Sequence, residues 1–178
     1  MDKDIAADLY RYGGLKGVWG FSQGLRIPGF RFIFLYRKAK KYQRSLFYRF
    51  FLHHYTFKYG FQISRLAEIG PGLFLPHTGG VVIGDKTKIV GNCDISHGVT
   101  IGREWRGERK GSPTIADRVW IGPGAVIVGK IFIGSNVLIA PNSFVNFDVP
   151  KNSIVIGNPA KIIKKIDATK NYINYLVD

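Results

Sequence analysis

A bulky aliphatic residue recurs at every sixth position through the middle of this chain. Ile63, Ile69 and Leu75 form one run, Ile83, Ile89, Ile95 and Ile101 a second, and Ile115, Ile121, Ile127, Ile133, Ile139 and Val145 a third. A six-residue interval fits neither the 3.6 period of a helix nor the alternation of a strand. Held over this length, it marks a repeat architecture, and hexapeptide repeats specify a parallel β-helix. The residue after the aliphatic is often small: Gly70, Gly84, Gly102, Ala116, Gly122, Gly134, Ala140. The fourth residue after it is small or aliphatic, as at Ala67, Leu73, Cys93, Val99, Ala125 and Val137. The expectation is a chain that turns a corner every six residues, with glycine allowing the corner dihedrals. Three hexads close a triangular coil, and coils stack at about 4.8 Å.

The rhythm breaks twice. From Leu75 to Ile83 the step is eight, which adds two residues around His77–Val82. From Ile101 to Ile115 it is fourteen, which adds eight within GREWRGERKGSP. The second insertion is charged, glycine-containing and closed by Pro113. It reads as a projecting loop over residues 103–113, and solenoid insertions gather on functional faces.

Composition bounds the rest. A chain of 178 residues suits one domain with an appendage, and 46% hydrophobic residues supply a core. The single cysteine, Cys93, excludes a disulfide framework and a cysteine metal cluster. It holds the inward position of its hexad and reads as a buried thiol, since thiolate chemistry needs exposure and a cationic neighbour. The first ten residues carry three aspartates and no apolar stretch, unlike a signal peptide. No apolar run reaches the roughly 18 residues of a membrane span. A cytoplasmic location is expected.

Three parts follow: a basic, aromatic-rich helical cap over 1–62, the β-helix over 63–166, and a tail or short helix over 167–178 that covers the open end of the solenoid. Within the cap, Pro28 marks a break or a helix start, and two helices run from Phe30 to about Tyr59, with wide apolar faces and basic opposite faces. The net charge of +14 is uneven. Residues 1–62 hold 12 Lys/Arg against 3 acids, and no acid stands between Asp8 and Glu68.

His77 and His97 each follow their hexad aliphatic by two positions and lie one coil plus the two-residue insertion apart. They should stack at one corner, about 5 Å apart. Histidine suits proton transfer near neutral pH. Two imidazoles without an acid or thiolate make a poor zinc set, so no metal is expected. The same column continues as Pro123 and Pro141. A corner pair with no role is the competing reading.

The hexads, the string HTGGVVIG at 77–84, GVTIG at 98–102 and IGNPAKII at 156–163 resemble the serine acetyltransferase branch of the hexapeptide acyltransferases. They are also similar to members of that branch among capsule and exopolysaccharide O-acetyltransferases. The resemblance covers about residues 62–165. It implies a left-handed parallel β-helix, a homotrimer with active sites between subunits, and acetyl transfer from acetyl-CoA to a hydroxyl. By the same resemblance His77 matches the general base, with His97 orienting the acceptor, assisting, or acting as the base itself. Gly102, Gly122, Pro123, Ala140 and Pro141 match the pantetheine edge, and Lys161, with Lys164 and Lys165, the turn near the CoA phosphates. The two prolines lack an N–H, so contacts there fall to carbonyls or neighbours.

The departures from the family pattern bear on the acceptor. The aspartate that usually precedes the base is Pro76, and the aspartate that pairs with it falls at Gln62. The family's insertion histidine and arginine fall at Ser112 and Gly111, and its glutamine on the next coil is His97. Arg103, Arg106, Arg109 and Lys110 offer a cation for an acceptor, and Ser112 a hydroxyl. Nothing at the matching positions offers an anion for an ammonium group. A carbohydrate hydroxyl, as in polysaccharide biosynthesis, is therefore the expected acceptor. Serine, as in cysteine biosynthesis, is the alternative, and a non-catalytic trimeric scaffold that docks on a membrane is the alternative of another class.

Residues 26–61 hold 9 Lys/Arg and 13 aromatics. Two readings stand side by side. Such helices lie in an anionic membrane interface, here the inner face of the plasma membrane, or they pack on the first coil and on neighbouring subunits. No nucleic-acid motif accompanies the charge, and no such partner is expected.

Overall fold

The computed structural model describes residues 1–177. Four helices come first: α1 (Lys3–Tyr10), α2 (Gly17–Gly24), α3 (Pro28–Lys41) and α4 (Leu46–Tyr59). Pro28 is a helix start, because its fixed φ and missing N–H suit the first turn. The Ser45 hydroxyl caps α4 by accepting the Tyr48 N–H, and Gly60 ends the helix at φ 72°.

Short strands then run β1 (Phe61–Ile63), β2 (Glu68–Ile69), β3 (Val81–Ile83), β4 (Lys88–Ile89), β5 (Asp94–Ile95), β6 (Thr100–Gly102) and β7 (Thr114–Ile115). They continue as β8 (Val119–Ile121), β9 (Val126–Val128), β10 (Phe132–Ile133), β11 (Val137–Ile139), β12 (Phe144–Val145), β13 (Ser153–Gly157) and β14 (Ala160–Lys164). They form three sheets, ordered β1-β3-β6-β9-β12, β2-β4-β7-β10 and β5-β8-β11-β13-β14. Every pairing is parallel except β13 with β14. Each sheet is one wall of the expected β-helix.

Every periodic aliphatic is buried, Ile63 being the most exposed at 8%. The inward fourth positions, among them Ala67, Cys93, Val99 and Val137, are buried as well. Each fully buried Leu or Ile contributes roughly 1.5–3 kcal/mol, so the repeat is its own core. Burial pushes the Cys93 thiol up, and its Sγ lies against the Val119 carbonyl at 3.2 Å.

The corners work differently from the expectation. The left-handed residue is the third after the aliphatic: Gly72, Lys86, Asn92, Gly98, Arg118, Gly124, Asn136, Asn142. The glycine directly after the aliphatic answers to space. A Cβ at Gly70 would stand 1.7 Å from the Val90 carbonyl oxygen, and one at Gly134 2.5 Å from the Lys151 nitrogen.

Register shows the two insertions and a third break. Ile63 pairs with Ile83, Ile83 with Ile101 and Ile89 with Ile115. At the far end Ile139 pairs with Val155, a coil two residues short of eighteen. It is tightened where the Asp148 carboxylate accepts the Phe132 N–H at 2.7 Å.

Among the described residues the expected C-terminal helix is not formed, and Asp178, the last residue of that expectation, lies outside them. Residues 166–172 run as turns and 173–177 as irregular chain, because Asp167, Asn171 and Tyr175 take positive φ, which a right-handed helix excludes. The segment still packs on the solenoid, with Tyr172 4.9 Å from Trp120 and Asn92 bonded to both the N–H and the carbonyl of Val177.

The cap shares the solenoid core through Leu9, Phe30, Phe32, Ile33 and Tyr36. Two buried ion pairs fasten it. Arg37 donates to Asp8 at 2.9 and 3.1 Å and to the Gly70 carbonyl at 2.6 Å, while Asp8 also accepts the Leu73 N–H. Arg11 donates to Asp94 on β5. Desolvation raises both carboxyls, Asp94 to about 7, against the pull of their arginines.

Candidate active site

The two-residue insertion puts His77 and His97 on one edge, where the Leu75 and Ile95 coils turn into β3 and β6. Their ring centroids are 5.7 Å apart with planes at 76°, and both side chains are exposed. The backbone beneath is tied coil to coil: the Gly98 N–H donates to Gly79 O at 2.9 Å, and the Gly124 N–H to His97 O at 3.1 Å. The Gly79 N–H donates to the Tyr59 carbonyl at 2.8 Å, so the end of α4 sits against this edge.

Gly122, Pro123, Ala140 and Pro141 continue the same edge on the next two coils, since β8 and β11 pair in register. The N–H groups of Gly122 and Ala140 are committed to the Ile139 and Val155 carbonyls at 2.8 Å. Their own carbonyls accept turn N–H groups at 3.3 Å, and each keeps a lone pair for a ligand. Side chains are limited here, because a Cβ on Gly122 would stand 2.8 Å from the Pro141 nitrogen. Lys161, exposed on β14, faces Ile156 across the terminal hairpin. It ends the edge five strand spacings from His77, roughly 24 Å.

Gly102 and the charged loop lie elsewhere. Gly102 ends β6, at the corner one wall away from the histidines, and the loop leaves from there. Glu104 and Gly111 close it with reciprocal 2.9 Å hydrogen bonds. Arg103 lies over the Trp105 ring at 4.3 Å, Arg109 donates to the Asn146 carbonyl, and the Ser112 hydroxyl donates to Asp85 O at 2.7 Å. Arg106 is exposed, with its N–H on the Glu104 carboxylate. The loop's partners Asp85, Lys130 and Asn146 follow β3, β9 and β12, at the end of that wall opposite the histidines. Within one chain, then, the histidine edge and the loop are not brought together.

The structure adds a feature that the hexad pattern does not reveal. Beside Ala140 and Pro141 a hollow of about 700 Å³ opens between the β5-β8-β11-β13-β14 wall and the C-terminal turns, lined by Trp120, Leu138, Ile154, Lys165, Lys170 and Tyr172. Trp120 occupies an outward position, invisible to a pattern that reports inward ones. Another hollow, of about 600 Å³ beneath α1 and α3, holds no histidine.

Residues 112–146 match the family model described as bacterial transferase hexapeptide (six repeats). The serine acetyltransferase of Helicobacter pylori is 38% identical over 144 residues, 79% of this chain and 84% of that protein. The crystal structure of Neisseria gonorrhoeae serine acetyltransferase in complex with serine is 35% identical, with a TM-score of 0.75 over 89% of this chain and 67% of that one. The Brucella abortus enzyme in complex with coenzyme A is 32% identical, with a TM-score of 0.78 over 92% and 67%.

These findings overturn the expected carbohydrate acceptor. The relatives are serine acetyltransferases, one of them held with serine itself, and nothing in them supports a place in polysaccharide biosynthesis. The expectation rested on ions missing at aligned positions. Charge is not bound to one position, however, and the loop presents both signs, Arg106 and Lys110 beside an exposed Glu108.

Proposed function

The chain belongs to the serine acetyltransferase branch of the hexapeptide-repeat acyltransferases, and from that premise we propose that it moves the acetyl group of acetyl-CoA to the hydroxyl of serine. The reading is carried by the exposed His77, stacked edge-on by His97 at the head of an edge of small residues. His77 takes the hydroxyl proton as the serine oxygen attacks the thioester carbonyl. The tetrahedral oxyanion collapses, the carbon–sulfur bond breaks, and the proton passes from the imidazolium to the departing thiolate. O-Acetylserine and CoA are the products. His97 orients the acceptor against His77.

The fit of the donor follows from the same edge. Acetyl-CoA supplies the activated acyl group. Small residues and prolines at Gly122, Pro123, Ala140 and Pro141 leave a smooth track with carbonyl acceptors for the pantetheine amides. Lys161 stands at the far end for phosphate, and Trp120 and Tyr172 line the neighbouring hollow.

A homotrimer completes the site in this reading. The distance between the histidine edge and the loop within one chain supports a neighbouring copy as the source of Arg103, Arg106 and Arg109.

Release of CoA from acetyl-CoA, with and without serine, tests the proposal. Serine-dependent release that disappears in His77→Ala is the expected result. Equal release in both proteins, or release indifferent to serine, would sink it. Mixing His77→Ala with a chain lacking the loop tests the shared site, since only a site built from two copies regains activity.

A further inference from the structure

We propose that the outward face of α4 is an interfacial anchor that lays this chain on an anionic lipid surface. Only Leu52 and Tyr59 of the helix are buried. On the opposite side Leu46, Phe50 and Phe57, 75%, 66% and 73% exposed, fall within about 40° of one another around the axis. Phe47, 62% exposed, widens the stripe. Arg49 and Lys58 stand on its two flanks, roughly 80–100° from Phe50, and Arg44 lies just before the helix. Rings in the middle with cations at both margins are the pattern of a helix lying in a membrane interface.

Charge selects the occupant. The ion pairs of the cap use Arg11, Arg37 and Lys41. Arg44, Arg49 and Lys58 enter none of those formed among the described residues, and no acid occurs between Asp8 and Glu68. Two copies meeting through this face would set Arg49 and Lys58 against like charge. An anionic headgroup layer complements both the rings and the cations. Exposed apolar side chains gathered on one side of a helix mark an interaction site. At 14 residues α4 lies in the surface plane, since no helix of the described residues is long and apolar enough to cross a membrane.

Co-sedimentation of the intact protein with phosphatidylcholine vesicles, with and without phosphatidylglycerol, tests this. Wild type should pellet with the anionic vesicles alone and be released by salt. Phe50→Ser/Phe57→Ser and Arg49→Glu/Lys58→Glu should each weaken binding at least tenfold, with unchanged helix content and acetyl transfer. If the phenylalanine variant misfolds, the charge variant, which changes two exposed side chains, carries the comparison. Wild type that stays in the supernatant, or variants that bind as wild type does, would overturn the proposal. So would a phenylalanine variant whose only change is a smaller oligomer, since the face would then join copies of this chain.

Discussion

The imidazole of His97 stands edge-on to that of His77, with centroids 5.7 Å apart and planes at 76°. The contact unites two residues twenty positions apart in the chain. The proposed base and its proposed orienting neighbour should differ in kinetics. His77→Ala should lower kcat by about 10²–10⁴ with little change in the KM for acetyl-CoA. His97→Ala should act mainly on the KM for the acceptor, and His97→Gln, with the side chain that the family resemblance puts there, should keep most of the activity. Steady-state kinetics on the three variants decides it, and a larger kcat loss in His97→Ala than in His77→Ala would reverse the assignment.

The buried Arg11–Asp94 pair fastens the cap to β5. Removing one partner strands a buried charge, so Arg11→Ala should cost about 3–5 kcal/mol in denaturant unfolding. Arg11→Met/Asp94→Leu should recover much of that loss, because neither charge is then left in the interior. A double variant no better than the single one would contradict this account.

Asp94 also gives stability a pH dependence of definite sign. Burial raises its carboxyl from 3.8 to about 7. Between those values the native state holds more protons at this site than the unfolded chain, so its contribution is complete below the lower value and is lost as pH rises through the upper one. Asp94→Asn should flatten that part of the stability profile, whatever it does to absolute stability. Urea midpoints across the range supply the measurement, and an unchanged slope would count against it.

Two glycines in equivalent hexad positions should respond differently. A Cβ at Gly70 would stand 1.7 Å from the Val90 carbonyl oxygen, while at Gly84 the nearest atom, Ile101 O, is 3.4 Å away. Gly70→Ala should therefore cost about 1–3 kcal/mol or more and Gly84→Ala far less. Thermal melts of the pair test whether coil spacing or dihedral freedom selects these glycines.

The solenoid was legible because each hexad repeats one instruction, and burying Ile121 needs nothing beyond its own coil and the two beside it. The His77–His97 stack was legible for the same reason, being a sum of repeat lengths. The C-terminal turns were not, because the φ of Asp167, Asn171 and Tyr175 answers to packing on other coils. Nor was the acceptor, because the charges of Arg106, Glu108 and Lys110 stand on an insertion outside the hexad pattern.

From the sequence alone come the β-helix, its buried aliphatics, the two insertions and the histidine edge, because a periodic core encodes its structure locally. Tertiary structure alone decides the rest. It matches Arg37 to Asp8 and Arg11 to Asp94, so cations that look like surface charge hold the cap in place. It separates the loop from the histidines by one wall of the coil. It also turns Leu46, Phe50 and Phe57 outward, because α3 and the first coil claim the other face of α4. Each of these is a choice among partners distant in the chain, and a pattern of residues records what must be buried without naming what buries it.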